Sequence, residues 1–230
     1  MLRAIMSALA LLPVTAHAET INVAVAANFT AAAEQLAERY EAQSGHRVDL
    51  SFGATGQLYT QISQAAPFEV FLAADTERPE KAIAEGLAVD GSFFVYAQGR
   101  LALYGEGAER GEAALGGAAE KIAIADPEAA PYGRAAVETL TALGFYDTLQ
   151  FKLVQGENIS QTLQFIESGN AQLGFVAASQ VLGKPNHWIV PEELHAPIAQ
   201  GAVLLTRGAG NAAAEGFLAF LRSNEAVAVI

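Results

Sequence analysis

Four short segments of the sequence combine small, amide and hydroxyl side chains in a pattern suited to binding an anion. They are 27–30 (ANFT), 53–56 (GATG), 130–133 (APYG) and 157–160 (ENIS). Each segment lies between an apolar run and a helical pattern, so its backbone N–H groups belong to the first turn of a helix and have no intrahelical acceptor. These N–H groups and the positive end of the helix dipole favour a negatively charged ligand.

The elements around these segments indicate how they are positioned. Apolar β-like runs at 21–26, 48–52, 122–125 and 152–154 precede the four segments. Strands that alternate with helices predict an α/β fold with mostly parallel sheets, in which ligands bind at the carboxyl ends of the strands. Because two segments lie in each half of the chain, we expect them to meet in a cleft between two lobes. The stretch 105–120 gives only weak local signals.

Ordinary structural roles are an alternative for each of these positions. Asn28, Thr55 and Ser160 are residue types that cap helices in any protein. Tyr132 has an aromatic ring that most often packs in a core. Ile159 has no polar side chain, so only its backbone N–H could contact a ligand.

Composition excludes several classes of protein. The chain has 230 residues, 52% of them apolar, so it is long enough and apolar enough to fold. It has no cysteine, which excludes disulfides and thiolate metal sites, and its few histidines lack the spacing of a metal pair. We therefore expect no protein-ligated metal. The 25 acidic and 13 basic residues give a formal net charge of −12, which argues against nucleic acid as a partner.

Residues 1–18 have the form of an export signal. A basic start at Arg3 is followed by an apolar run, and Ala16-His17-Ala18 is a small-x-small cleavage motif. The run is shorter than the roughly 20 residues that span a bilayer. We therefore expect a soluble, periplasmic protein whose mature chain begins at Glu19.

No segment predicts catalysis. Asp126-Pro127-Glu128 is interpreted as a turn and not as a catalytic carboxylate pair. The glycine-containing stretches at 105–107 and 208–210 lack the lysine and the spacing of phosphate-binding loops. We therefore expect a protein that is not an enzyme, and a secreted hydrolase is the less favoured alternative.

Five ordered blocks resemble one family along nearly the whole mature chain. The blocks are VAVAANFTAAAEQLA, LSFGATGQLYTQI, APFEVFLAAD, IADPEAAPYG and LGFVA. They are similar to the periplasmic molybdate-binding proteins of ABC importers. The resemblance implies a two-lobed, type II periplasmic-binding-protein fold that captures molybdate or tungstate and delivers it to a membrane permease. We also expect a monomer that needs no cofactor.

The resemblance carries oxyanion-binding roles to four residues of this sequence. Asn28 would donate from its backbone and side chain, and Thr55 from its hydroxyl and N–H. Tyr132 and Ile159 would each contribute a backbone N–H from the second lobe. Ala27 and Ala177 depart from the family pattern, since some relatives have a hydroxyl at the first position and others a tyrosine at the second.

The chemistry of the four segments favours a fully ionised dianion. No carboxylate within the proposed donors could accept a proton from the ligand, although Glu157 is close in sequence, so phosphate is disfavoured. Arg134 is expected at the surface or between the lobes. Sulfate or a small organic acid remains the alternative ligand for the same architecture.

The lobes are predicted to comprise residues 19–98 with 199–230, and residues 99–198. The chain would cross between them near 98–101 and near 196–200. Because the ligand contacts both lobes only when they close, binding would shift the population toward the closed form.

Overall fold

The computed structural model describes residues 18–230. The predicted signal peptide therefore lies outside the described residues, apart from Ala18. The described chain forms two five-stranded sheets, each flanked by helices. None of the helices between residues 18 and 230 has the length and hydropathy of a membrane span.

The first sheet has the strand order β2-β1-β3-β10-β4. Its strands are β1 (Thr20–Ala26), β2 (Arg47–Gly53), β3 (Val70–Leu72), β4 (Phe94–Gly99) and β10 (Ile198–Leu204). Strand β1 pairs in parallel with β2 and β3, whereas β10 runs antiparallel between β3 and β4. The parallel strands place their carboxyl ends, including Ala26 and Gly53, side by side at one edge.

The second sheet repeats this arrangement with the order β7-β6-β8-β5-β9. Its strands are β5 (Leu101–Gly105), β6 (Ile122–Ala125), β7 (Leu153–Gly156), β8 (Leu173–Ala177) and β9 (His187–Ile189). Strand β6 pairs in parallel with β7 and β8, and β5 runs antiparallel between β8 and β9. Ala125 and Gly156 are therefore neighbours in the same way as Ala26 and Gly53. The expectation of mostly parallel sheets is confirmed for the core of each sheet. Both sheets are mixed, since each also has an antiparallel side.

Helices cover the faces of both sheets. They are α1 (Thr30–Ser44), α2 (Thr55–Ser63), α3 (Glu77–Ala84), α4 (Pro131–Ala142), α5 (Tyr146–Leu149), α6 (Ile159–Glu167), α7 (Ala212–Phe220) and α8 (Asn224–Val227). In the first lobe, which is the first sheet with its helices, the Tyr40 ring packs edge-on against Phe217 at 5.3 Å between centroids. Helix α1 ends at Gly45, whose φ of 73° is the left-handed conformation that glycine adopts without strain.

The second lobe is the second sheet with its helices, and it has its own apolar core. Leu101, Ile122 and Phe175 from three of its strands are fully buried there, beneath helix α4. The stretch with weak sequence signals contains a 3-10 helix at Ala108–Ala114 that is kinked at Gly111. The chain passes from the first sheet to the second at Arg100, and it returns between Ile189 and Ile198.

Candidate functional site

The four predicted segments meet at one small cavity between the two lobes. The cavity is lined by Ala26, Ala27, Asn28, Gly53, Ala54, Thr55, Ala74, Ala130, Pro131, Tyr132, Asn158 and Ile159. All four predicted site residues are in this lining, two from each lobe, and none of the lining side chains is ionised at neutral pH.

Asn28 follows strand β1 in a 3-10 helix, Ala27–Phe29. Its side chain is buried, and its Nδ2 donates a hydrogen bond of 2.8 Å to Gln200 Oε1. The Asn28 side chain makes no capping hydrogen bond, either to this 3-10 helix or to helix α1. One of the two side-chain N–H groups of Asn28 is thus committed to Gln200, and the other is left for a further acceptor.

Thr55 is the first residue of helix α2, and Ala54 is its N-cap residue. The Thr55 side chain is 1% exposed, and its Oγ1 accepts a hydrogen bond of 3.0 Å from the backbone N–H of Ala74. Because a hydroxyl also has one proton to donate, this contact leaves the Thr55 O–H available to an acceptor. The capping alternative for Thr55 is therefore wrong, because no cap hydrogen bond is made by a side chain there.

The second lobe contributes the starts of helices α4 and α6. Pro131 is the first residue of α4 and has no N–H, so Tyr132 carries the leading donor of that helix. Asn158 caps α6, since its Oδ1 accepts from the N–H groups of Ser160 and Gln161 at 3.0 Å each. The cap does not engage the N–H of Ile159. Within residues 18–230, no hydrogen bond is found for the backbone N–H groups of Asn28, Thr55, Tyr132 and Ile159.

The Tyr132 side chain extends from the cavity to the crossover between the lobes. Its hydroxyl lies against Gly99 at the end of β4, where there is no side chain. Burial raises the pKa of Tyr132, and the neighbouring Gln200 and Asn28 side chains act in the opposite direction. The phenol is therefore neutral at physiological pH.

Direct hydrogen bonds join the lobes around the cavity. Gly56 N–H donates to the Ala129 carbonyl at 2.8 Å, and the Ser160 hydroxyl donates to the Ala27 carbonyl at 3.1 Å. Arg78 Nη2 donates to the carbonyl of Glu128 at 2.9 Å. The structure is therefore that of the closed form, in which the donors of both lobes face the same space.

Charged groups near the site are paired outside the cavity. Arg78 forms an ion pair with Asp75 in its own lobe. Arg134 forms an exposed ion pair with Glu77 across the lobes, at 3.4 Å, which agrees with the surface or interlobe position predicted for it. Glu157 is exposed and is absent from the lining.

The Asp126-Pro127-Glu128 segment is a turn, as predicted. Asp126 Oδ1 accepts from the backbone N–H of Glu128 at 2.9 Å. The Asp126 carbonyl also accepts from Ala130 N–H at 2.8 Å. The carboxylate of Asp126 is thus engaged in turn formation.

Comparison with known proteins identifies the family. Residues 21–230 match the sequence model of a family described as bacterial extracellular solute-binding protein. The chain belongs to this family. The molybdate-binding protein ModA of Rhodobacter capsulatus is 50% identical to this solute-binding protein, over 100% of this chain and 94% of the relative. The molybdate-binding protein ModA of Azotobacter vinelandii is 46% identical, over 96% and 91% of the two chains.

A solved structure is similar over the same extent. The periplasmic molybdate-binding protein of Azotobacter vinelandii superimposes on this solute-binding protein with a TM-score of 0.87 and 38% identity, over 91% of this chain and 96% of that chain. This similarity confirms the resemblance that was inferred from the five sequence blocks. It also confirms the two-lobed fold. The expectation of a non-enzymatic protein is confirmed too, because the relatives are binding proteins.

Sequence reasoning missed several residues of the site in this solute-binding protein. Gln200 is 3% exposed and contacts Asn28, and the only signal for it was an amide within the apolar run 199–205. Ala74 acts through a backbone donor, which has no distinctive sequence pattern. Asn158 lies within the predicted segment 157–160 but was not singled out as the cap of α6. Of the two departures from the family pattern, Ala27 lines the cavity, whereas Ala177 is absent from the lining.

Proposed function

We propose that this protein is the periplasmic receptor of an ABC importer for molybdate or tungstate. One observation carries the proposal. One interlobe cavity is bordered by four helix starts, two from each lobe, and none of its lining residues carries a formal charge. The relatives named for molybdate binding give independent support.

The neutral lining favours a tetrahedral dianion that carries no proton. Such a ligand needs donors at all of its oxygens, and backbone N–H, carboxamide and hydroxyl groups are donors. Hydrogen bonds to an ionised ligand are stronger than neutral ones, and exclusion of water strengthens them further. A protonated ligand such as monohydrogen phosphate would also need an acceptor, and the lining contains no carboxylate.

In this proposal each site residue has a defined role. Asn28 donates its backbone N–H and its remaining side-chain N–H, and Thr55 donates its hydroxyl and N–H. Tyr132 and Ile159 donate backbone N–H groups from the second lobe. The metal is cargo held as its oxide, so no protein side chain ligates it and no cofactor is needed.

Capture and delivery follow from closure. The lobes, proposed as residues 19–98 with 199–230 and residues 99–198, separate to admit the ligand and close on it. The membrane permease then recognises the closed form. A monomer suffices for this cycle, and residues 1–18 are proposed as the cleaved signal that exports the protein to the periplasm.

Titration calorimetry of the mature chain with molybdate, tungstate, sulfate and phosphate tests the ligand. We expect tight binding of molybdate and tungstate, with at least a hundredfold weaker binding of sulfate and no measurable binding of phosphate. Tight sulfate binding without molybdate heat would overturn the proposal. A crystal of the complex in which lysine or arginine grips the oxyanion would overturn it as well.

A further inference from the structure

Gln200 is a buried polar side chain that the proposed function leaves without a role. It lies in β10, two residues after the chain returns to the first sheet, and it is 3% exposed. Its neighbours in this strand are mostly alanine, glycine and aliphatic residues. Burying a carboxamide costs free energy unless its polar atoms are hydrogen-bonded, so its contacts identify what holds it there.

The Gln200 oxygen collects donors from two elements of the first lobe. Oε1 accepts from Asn28 Nδ2 at 2.8 Å and from the Tyr96 hydroxyl at 3.1 Å. The contact with Asn28 fixes the amino end of that carboxamide toward Gln200 and restricts its rotation. Gln200 thus orients a side chain to which the proposed function gives a ligand contact.

The Gln200 nitrogen faces the second lobe. A Cβ placed on Gly99 would lie 3.0 Å from Gln200 Nε2 and would overlap the Tyr132 hydroxyl, so the two polar groups share the space that this glycine leaves open. The Tyr132 hydroxyl therefore lies beside the Gln200 carboxamide, which in turn holds Asn28. Tyr132 belongs to helix α4, and it enters this space from the opposite lobe.

We propose that Gln200 is a positioning residue that couples hinge closure to oxyanion capture, by holding the Asn28 carboxamide and the Tyr132 hydroxyl together in the closed form. The inference rests on the proposed function, because Asn28 and Tyr132 are its ligand donors. When the lobes separate, Tyr132 leaves with the second lobe and the network is broken. Loss of Gln200 therefore destabilises the closed, liganded form more than the open one.

This difference has a kinetic consequence. Ligand enters the open form, which lacks the Tyr132 contact, so association depends little on Gln200. Release requires opening, which breaks the network, so dissociation becomes faster without it. A residue that served only the stability of the first lobe would lower the melting temperature of the ligand-free protein and leave the dissociation rate unchanged.

The test compares Gln200→Met with Gln98→Met in the mature chain. Gln98 is an exposed glutamine on the neighbouring strand β4, so it is a matched control for the substitution. Affinity is measured by calorimetry with sodium molybdate. Release is measured by chasing preloaded molybdate with excess tungstate and quantifying the protein-bound metal by mass spectrometry. We expect Gln200→Met to weaken affinity at least tenfold, mostly through faster dissociation, and Gln98→Met to match the wild type within twofold.

A double-mutant cycle with Tyr132→Phe tests the coupling itself, since that change removes the phenol oxygen and keeps the backbone N–H. If the two side chains act together, the double variant loses little more affinity than the weaker-binding single variant, within about threefold. The inference would be overturned if the loss of affinity in the double variant equalled the product of the two single losses. It would also be overturned if the Gln200→Met protein released molybdate at the wild-type rate. If Gln200→Met does not fold, Gln200→Ala and Tyr132→Phe supply the cycle.

Failure of the two proposals is distinguishable. A wild-type protein without molybdate or tungstate heat overturns the proposed function before any variant is compared. A wild-type protein that binds molybdate, with Gln200→Met equal to it in affinity and release, overturns only the role of Gln200.

Discussion

Replacing Thr55 by alanine tests the neutral-donor mechanism most directly. The Thr55 side chain is 1% exposed at the start of α2, and its Oγ1 accepts from the Ala74 N–H at 3.0 Å. That contact leaves its O–H proton for the ligand. Thr55→Ala therefore removes one donor to the oxyanion and one acceptor for Ala74, and the two losses are measured in different experiments.

The loss of the acceptor affects folding in both the free and the bound protein. An unsatisfied buried N–H costs ~1–3 kcal/mol, so the free energy of unfolding of the ligand-free variant falls by about that amount. The loss of the donor affects binding only. A hydrogen bond to a charged group contributes ~1.5–3 kcal/mol, and ~1.4 kcal/mol is a factor of ten, so the dissociation constant rises by about 10- to 150-fold.

Calorimetry with molybdate measures the binding part, and urea unfolding without ligand measures the folding part. Thr55→Ser restores the hydroxyl and should recover most of the affinity. Thr60→Ala changes an exposed threonine of the same helix and should have no effect on binding. A Thr55→Ala protein that binds molybdate within twofold of wild type would refute the assignment of Thr55 as a donor.

Three further predictions concern closure, charge and pH. Gly56→Ala would bring a Cβ to 3.1 Å from the Ala129 backbone across the lobes and to 3.0 Å from the end of the Arg78 side chain. Overpacking costs ~1–3 kcal/mol, so calorimetry should detect about tenfold weaker binding. The ligand-free melting temperature should not fall, because alanine is favoured over glycine in a helix. The net charge of −12 repels an anion, and salt screens this repulsion by shortening the Debye length from about 30 to about 8 Å. The association rate constant measured by stopped flow should therefore rise with added salt. A rate constant that falls with salt would contradict this. Burial raises the pKa of Tyr96 and Tyr132 in the folded protein. The stability that their neutral phenols contribute is therefore present below a pH of about 10. Above that pH it is lost, because the tyrosines of the unfolded chain release their protons first. Urea unfolding between pH 8 and 11 should detect this loss, and Tyr96→Phe should reduce it.

The sequence predicted local features well because they depend on neighbours in the chain. Apolar runs followed by small and polar residues located the ends of β1, β2, β6 and β7, where Asn28, Thr55, Tyr132 and Ile159 line one cavity. Parallel pairing then brings adjacent strand ends together without further information.

What the sequence did not predict depends on contacts between distant parts of the chain. Gln200 and Asn28 are separated by 172 positions, and their hydrogen bond exists only because β10 returns to the first sheet beside β3. The absence of a side chain at Gly99 has meaning only next to the Tyr132 hydroxyl from the other lobe. Local patterns contain no trace of either contact, so the site could be predicted but its connection to the crossover could not.

The equivalence of the two sheets accounts for the proposed link between anion binding and closure. Each sheet offers two helix starts at the ends of its central parallel strands, so neither lobe alone can surround an anion with donors. A ligand held by one lobe would keep part of its water shell, whereas the closed form replaces that shell with donors from both sides. The ligand therefore has a much higher affinity for the closed form, and that difference sets how far it can shift the equilibrium between open and closed protein. Since the donors are fixed dipoles and not mobile cations, the protein can combine an acidic surface with a site for an anion.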